Sequence, residues 1–239
     1  MTTLANLLQR QAVWRGGASP AGAAVQALPA TPTGFPVLDA ELPGGGWPAG
    51  GLAEVLCRTE GIGELQVVLP ALAGLSAAGR RIAWLAPPHL PYAPALRAAG
   101  VRLDCLTVVR APGRRDALWA AEQALRSGAF HALLLWLPRA NYAELRRLAV
   151  AAQAGPGFAL AFRPPEAAGE ASPAVLRLVL ETEDRQLLVR ILKRRGQPLA
   201  APLPVPIDRP LPKRSAHALG RASFSAAPAA GPVARACAA

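Results

Sequence analysis

The sequence contains almost no lysine, few aromatic residues and only three cysteines. The only lysines are Lys193 and Lys213, and arginine makes up the rest of the 26 basic residues. Cys57, Cys105 and Cys237 show no paired spacing, so we predict no disulfide framework and no metal site. We also predict no bound cofactor. The aromatic fraction of 5% also argues against a dedicated binder of single-stranded nucleic acid, which stacks bases on aromatic rings.

Targeting and membrane-spanning segments are also missing from the sequence. The N-terminus lacks the pattern of a signal peptide. The apolar helical pattern at residues 65–78 contains Pro70 and is too short to cross a bilayer. We therefore expect a soluble, cytoplasmic protein with reduced thiols.

Positive charge is concentrated near the C-terminus. The formal net charge is +11, and residues 193–239 contribute +7 of it through eight basic residues and one acid. Residues 197–239 are rich in Pro, Ala and Arg without a sustained period, which predicts a disordered tail. Such a tail suits a polyanion or an acidic protein partner. The alternative is a solvated segment whose arginines reflect genome composition.

The body of the chain alternates apolar strands with amphipathic helices. Predicted strands at residues 52–56, 81–85, 106–109, 132–137 and 157–162 alternate with predicted helices at 65–78, 92–100, 114–127 and 141–154. This alternation is typical of an α/β fold in which helices flank a mostly parallel sheet. Strands at 175–181 and 186–192, joined by a polar turn, predict that the sheet ends in an antiparallel hairpin.

The turn after the first strand has the context of a phosphate-binding loop but not its chemistry. A glycine-containing turn between a strand and a helix can hold an anion on backbone N–H groups. A phosphate-binding loop also needs a Lys for the phosphates and a Ser or Thr for magnesium. Here the turn contains Gly61 and ends in Gly63, Glu64 and Leu65. We predict a degenerate nucleotide site in which Glu64 repels phosphate.

The segment before this strand carries a family resemblance. Residues 33–51, with the sequence TGFPVLDAELPGGGWPAGG, resemble the entry to the ATPase core of RecA. They resemble more closely the ImuA family, the RecA-like accessory proteins of bacterial translesion synthesis. The resemblance covers roughly residues 1–200 and implies a RecA-like domain at residues 34–196.

Comparison with RecA implies that the catalytic acids are lost. Ala86 and Pro88 stand where the RecA pattern has two acids, and His89 alone remains of that segment. Trp136 stands where the magnesium-binding Asp is expected. Since the Lys and the Ser or Thr are missing as well, we predict that the protein is not an enzyme.

The ImuA resemblance implies a non-catalytic adaptor in SOS-induced translesion DNA synthesis and mutagenesis. The implied partners are the polymerase-like protein ImuB, an error-prone replicative-type polymerase and RecA, with nucleoid association during DNA repair. The alternative is a cell division inhibitor resembling SulA that acts on the tubulin-like division protein. A live recombinase-type ATPase is disfavoured by the missing residues.

Residues 1–17 form a predicted amphipathic helix that is joined to the domain by a linker at residues 18–33. Leu4, Leu7 and Leu8 lie on one face of this helix. The face either docks on another protein, as in RecA-like assemblies, or packs on the chain's own domain.

The C-terminal part contributes two further groups of predicted binding residues. Lys193, Arg194 and Arg195 place three adjacent positive charges after the last strand, where they suit an acidic partner or DNA phosphates. Leu219 and Phe224 are predicted apolar anchors of the tail on a protein partner.

Overall fold

A computed structural model describes residues 29–58, 63–183, 186–196, 199 and 201–207. In this part of the chain, helices flank an eight-stranded sheet, and two further short strands form a second hydrogen-bonded sheet. The predicted α/β class with a mainly parallel sheet is confirmed. Among the described residues, no helix has the length and apolar character needed to span a membrane.

The described elements follow one another from β1 to β10. The strands are β1 (Ala30–Thr31), β2 (Trp47–Pro48), β3 (Leu52–Cys57), β4 (Ile82–Leu85), β5 (Leu106–Val109), β6 (Ala132–Trp136), β7 (Phe158–Arg163), β8 (Leu176–Glu183), β9 (Gln186–Lys193) and β10 (Leu203–Val205). The α-helices are α1 (Pro36–Glu41), α2 (Leu69–Ala77), α3 (Ala93–Ala98), α4 (Arg114–Arg126) and α5 (Tyr142–Ala152).

The large sheet has the strand order β10-β9-β8-β3-β7-β6-β4-β5. Strands β8, β3, β7, β6, β4 and β5 are all parallel to one another. β9 and β10 run antiparallel, as predicted for the first of these two strands. β3 comes first in the sequence among the strands of this sheet. It lies inside the sheet, between β7 and β8, which come much later in the sequence.

Two apolar layers cover the faces of the sheet. One contains buried residues of α1, α2 and α3 together with Val55 of β3. The other contains buried residues of α4 and α5 together with Leu52 of β3. Because alternate residues of a strand point to opposite faces, β3 can be buried along its whole length only with helices on both sides.

Most of the predicted boundaries agree with the structure to within two residues, and α2 is the main exception. It begins at Leu69 rather than at residue 65, because the preceding residues form a turn. The Gln66 N–H donates to the Gly63 carbonyl at 2.8 Å, and the Val68 N–H donates to the Leu65 carbonyl at 3.0 Å. Pro70 lies in the first turn of α2, where its missing N–H costs nothing.

Four of these strands and α-helices were missing from the prediction. α1 and the pairing of β1 with β2 build structure within residues 30–48, so the predicted linker at 18–33 contains a strand. The predicted tail at 197–239 contains β10, which pairs with β9 and buries Val205. Short strands next to prolines have no period that would mark them in the sequence. The predicted helix at 1–17 and the tail beyond Ile207 lie outside the described residues.

The predicted cap of α5 is present and is part of a reciprocal pair. Asn141 Oδ1 accepts the N–H of Glu144 at 3.0 Å, and the Glu144 carboxylate accepts the N–H of Asn141 at 2.9 Å. This capping box satisfies two backbone donors that the helix itself leaves unpaired. The capping box therefore fixes the residue at which α5 begins.

A buried ion-pair network lies on the α4/α5 face of the sheet. Glu54 of β3 is 0% exposed, and its Oε1 accepts a hydrogen bond from Arg163 Nη1 of β7 at 3.0 Å. Its Oε2 accepts from Arg177 Nε of β8 at 2.5 Å. Arg163 Nη2 also donates to the Ala140 carbonyl at 2.7 Å and to the Glu170 carboxylate at 2.8 Å. Two carboxylates thus balance two guanidinium groups.

The same network holds the connection between β7 and β8 against the sheet. That connection contains a 3₁₀-helix, Pro165–Gly169. The Arg177 guanidinium donates to the carbonyls of Ala167 at 2.6 Å and of Glu170 at 3.1 Å. Because these contacts come from three neighbouring strands, the network fixes the middle of the sheet to the loops around it.

Candidate protein-interaction site at the carboxyl edge of the sheet

The carboxyl ends of β3, β4, β5, β6 and β7 meet at one edge of the sheet. In open α/β sheets this edge is where ligands bind. The residues predicted to form a degenerate nucleotide site lie here, since Gly63 and Glu64 follow β3 and Trp136 ends β6. Gly61 lies outside the described residues.

The turn after β3 places a carboxylate in the buried part of this edge. Gly63 has a φ of +101°, a conformation that favours glycine. Glu64 follows it and is only 9% exposed. A buried acid in the turn disfavours a bound phosphate, because like charges repel strongly where water is excluded.

Trp136 belongs to an aromatic cluster across three strands. Its ring stacks on Phe162 of β7 with centroids 4.9 Å apart and an interplanar angle of 21°. Trp84 of β4 contacts its other side at a centroid distance of 5.5 Å. Packed rings therefore stand at the strand ends where the RecA comparison would place the magnesium acid.

We expect no ATP hydrolysis by the purified protein. The turn after β3 ends with Glu64 in place of residues that bind phosphate. Trp136, which stands where a magnesium-binding acid is expected, is packed in the aromatic cluster. Phosphate release should stay below about one turnover per minute, at the low end of enzyme rates. The assay is phosphate release with ATP and magnesium, with and without single-stranded DNA, and an active RecA preparation is the positive control. Faster release that follows the protein through successive purification steps would contradict the prediction.

The loop between β4 and α3, residues 86–92, is fixed at both ends. The Ala86 N–H donates to the Val109 carbonyl of β5 at 2.9 Å, and Ala86 has a φ of +49°. At the other end the Tyr92 carbonyl accepts the N–H of Ala95 at 3.0 Å and begins α3. Three prolines within the loop restrict its backbone further. The loop is therefore a rigid protrusion.

This rigid loop presents two large apolar side chains to solvent. Leu90 and Tyr92 are each 71% exposed. Tyr142, at the start of α5 on the same edge, is 48% exposed. Aromatic residues are enriched at protein–protein interfaces, so these exposed side chains are candidates for contact with a partner protein. Ala86, Pro88 and His89, which were compared with catalytic residues, lie in this loop.

The three adjacent basic residues at the end of β9 are located at the opposite, amino-terminal edge. Lys193 Nζ donates to the Ser172 carbonyl at 2.9 Å. The Arg194 guanidinium bonds to the Glu41 carbonyl and forms an ion pair with the Glu41 carboxylate at 2.7 Å. Two of the three thus connect β9 to neighbouring segments. Arg195 is exposed. Their role in binding stays a prediction.

The remaining predicted binding residues, Leu4, Leu7, Leu8, Leu219 and Phe224, lie outside the described residues. Within the part that is described, no group of three or more metal-ligating side chains comes together.

Sequence reasoning did not identify Leu90 and Tyr92 as binding residues. The sequence does show that these two apolar residues flank Pro91, in a proline-rich loop that follows a buried strand. The RecA catalytic motif concerns the acids of this loop, so the comparison with it does not report on the apolar residues that the loop contains.

The chain is similar to proteins described as cell division inhibitors. Residues 50–159 match the family model described as cell division inhibitor SulA. The cell division inhibitor SulA of Edwardsiella piscicida is 38% identical over 97 residues, which are 41% of this chain and 58% of that protein. The SulA of Pectobacterium carotovorum is 30% identical over 125 residues, which are 52% of this chain and 74% of that protein.

The chain is also similar to solved structures, of which a SulA protein is one. The crystal structure of SulA from Pseudomonas aeruginosa matches at 29% sequence identity and a TM-score of 0.41. The match covers 49% of this chain and 99% of that one. The chain thus spans little more than half of the first relative's length and nearly the whole of this solved chain.

Proposed function

Because this chain belongs to the SulA family of cell division inhibitors, we propose that it inhibits cell division by binding the tubulin-like division protein. The observation that carries the proposal is the 30% identity to a SulA protein across 74% of that protein's length. The action needs no reaction, only occupation of a surface that the division protein uses to assemble.

The assignment to the ImuA family was wrong. The glycine-rich segment at residues 33–51 that carried it lies almost wholly outside the matched region at 50–159. In the structure this segment contains α1 and β2 and leads directly into β3. These elements do not identify the protein that the chain binds. The predicted role in translesion synthesis, and with it the partners ImuB, an error-prone polymerase and RecA, is replaced by the SulA-like alternative.

The protein is not an enzyme, as the sequence predicted, and its family supports this conclusion. A carboxyl edge that contains an aromatic cluster and a rigid apolar loop agrees with a binding protein. The described part of this edge lacks the arrangement of charges that phosphoryl transfer needs.

We place the binding surface on the loop at residues 86–92. The loop lies inside the region that matches the family, and it presents Leu90 and Tyr92 from a fixed backbone. Aromatic and apolar anchors that are held rigid lose little conformational entropy on binding, so they contribute most of the binding energy at interfaces.

We also propose that the fold is a RecA-like core. This proposal is supported by a mainly parallel sheet with helices on both faces, extended by antiparallel strands at one edge. The core would then serve as a scaffold without nucleotide chemistry.

The place of action follows from the proposed partner. We expect the protein to act in the cytoplasm, in cells that have induced the SOS response. The predicted nucleoid association depended on a role in DNA repair and is no longer supported.

We expect the full-length protein to suppress assembly of the division protein from the same organism. The assay is sedimentation and light scattering of the division protein with GTP. The double substitution Leu90→Ser and Tyr92→Ser should weaken inhibition by at least about tenfold, since two exposed anchors lose their apolar contacts. Expression of the unmodified protein should produce filamentous cells, and expression of the double variant should not.

Trp119→Ser is the matched control, since Trp119 is also a large apolar residue and is 64% exposed, on α4. It should inhibit as well as the unmodified protein. Normal assembly in the presence of correctly folded full-length protein would overturn the proposed function. Full inhibition by the double variant would place the interface elsewhere on the molecule.

A further inference from the structure

A cavity of about 290 Å³ lies at the amino-terminal edge of the sheet, on the side opposite the proposed interface. It opens next to the amino ends of β3 and β8. Its walls are mainly proline, glycine and aliphatic residues. The lining residues are Pro29, Pro43, Gly46, Pro48, Ala49, Gly50, Gly51, Gln153, Val175, Leu176 and Arg195. Such a size lies near the lower end of pockets that hold small ligands or single side chains.

Most of this lining lies outside the part of the chain that matches the SulA family. Only Gly50, Gly51 and Gln153 fall within residues 50–159. The other walls come from the segment before β3 and from the beginning and the end of the β8–β9 hairpin. The cavity is therefore built by structure that this chain adds to the matched region.

Among the lining residues, Arg195 and Gln153 are the two with polar side chains. Backbone groups contribute little, because the Gly50 N–H donates to the Gly157 carbonyl at 2.7 Å and the Gly51 N–H to the Pro48 carbonyl at 3.3 Å. Recognition of a ligand must therefore come from the two side chains and the apolar walls.

Arg195 is the one of the three adjacent basic residues that lines the cavity. Lys193 and Arg194 are engaged by Ser172 and Glu41. No ion pair involves Arg195 within the described part of the chain. A guanidinium group at the mouth of an apolar cavity selects a ligand that carries a carboxylate, because its planar fork can donate two parallel hydrogen bonds.

We propose that this cavity binds an apolar group that bears a carboxylate, with Arg195 and the Gln153 amide as its donors. A free aliphatic acid and the C-terminal residue of a peptide share this chemistry. The proposal goes beyond division inhibition and does not depend on it, since the cavity and the loop at residues 86–92 lie at opposite edges.

The test is titration of the ¹⁵N-labelled full chain, followed by its amide spectrum. One pair of probes is hexanoate and hexanamide. The second pair is the peptide acetyl-Gly-Ser-Ala-Leu with a free and with an amidated C-terminus. The acids should shift the amides of Gly46, Gly50 and Gly51 saturably below about 10 mM, whereas the neutral amides should bind at least about tenfold more weakly. Stronger binding by the free acid or by the peptide identifies the source.

Two substitutions locate the binding. Arg195→Gln should reduce acid binding to the level of the amide, and Ala49→Leu should fill the cavity and weaken both acids. Arg190→Gln is the matched control, because Arg190 is an exposed arginine on β9 that does not line the cavity and pairs with Glu181. Equal affinity for acid and amide, or unchanged acid binding by Arg195→Gln, would overturn the proposal. The absence of saturable shifts with all four probes would overturn it as well.

Discussion

Replacement of Glu54 by glutamine is expected to lower the free energy of unfolding by about 3–5 kcal/mol. The substitution keeps the shape of the side chain but removes the charge that Arg163 and Arg177 share. Both arginines are more than 90% buried, so water cannot replace the lost partner. Urea unfolding followed by circular dichroism measures the change. In a thermal scan it corresponds to a fall of the melting temperature by roughly 6–20 °C.

Two comparisons separate the loss of the buried charge from other causes. Glu181→Gln breaks an exposed ion pair with Arg190 and should cost less than about 1 kcal/mol. Combining Glu54→Leu with Arg163→Met and Arg177→Met removes all three buried charges and should recover much of the loss. A cost below about 1 kcal/mol for Glu54→Gln would show that the network is solvated in solution.

Trp136→Ala should lower the free energy of unfolding by about 2–4 kcal/mol, since it removes the central ring of the aromatic cluster. Phe162 loses a stacked partner and Trp84 loses its neighbour on β6. The cost falls below that of a fully buried tryptophan because Trp136 is partly exposed. Urea unfolding gives the energy, and near-ultraviolet circular dichroism reports the lost ring packing.

Trp119→Ala removes a ring of the same size from the surface of α4 and should change stability by less than about 0.5 kcal/mol. Equal effects of the two substitutions would contradict the packing role of Trp136. We expect neither variant to gain ATP binding, because the turn after β3 still contains Glu64 and lacks a lysine.

The large elements could be predicted because their signals are local. β6 is apolar along its length, and α4 repeats its buried residues Ala117, Ala121 and Leu125 at helical spacing. The cap of α5 could also be predicted from Asn141 alone. In each case the residues that specify the element lie within it.

Features that depend on distant residues could not be predicted. Glu54 looks like a single polar residue in an apolar strand, and its partners are 109 and 123 residues away in the sequence. β10 has three residues and exists only because β9 offers it an edge. The exposure of Leu90 and Tyr92 depends on how the loop at residues 86–92 is anchored to β5, which no sequence period reports.

The interior position of β3 also affects how the chain can fold during synthesis. β3 leaves the ribosome early, but its two neighbours in the sheet begin only at Phe158 and Leu176. At about 5–20 residues per second, its apolar residues wait roughly 5–20 s for the first of them. Meanwhile both edges of the strand are open to other nascent chains. Yield in the cell should therefore depend on chaperones that shield β3 until translation has passed β8, whatever the stability of the finished fold.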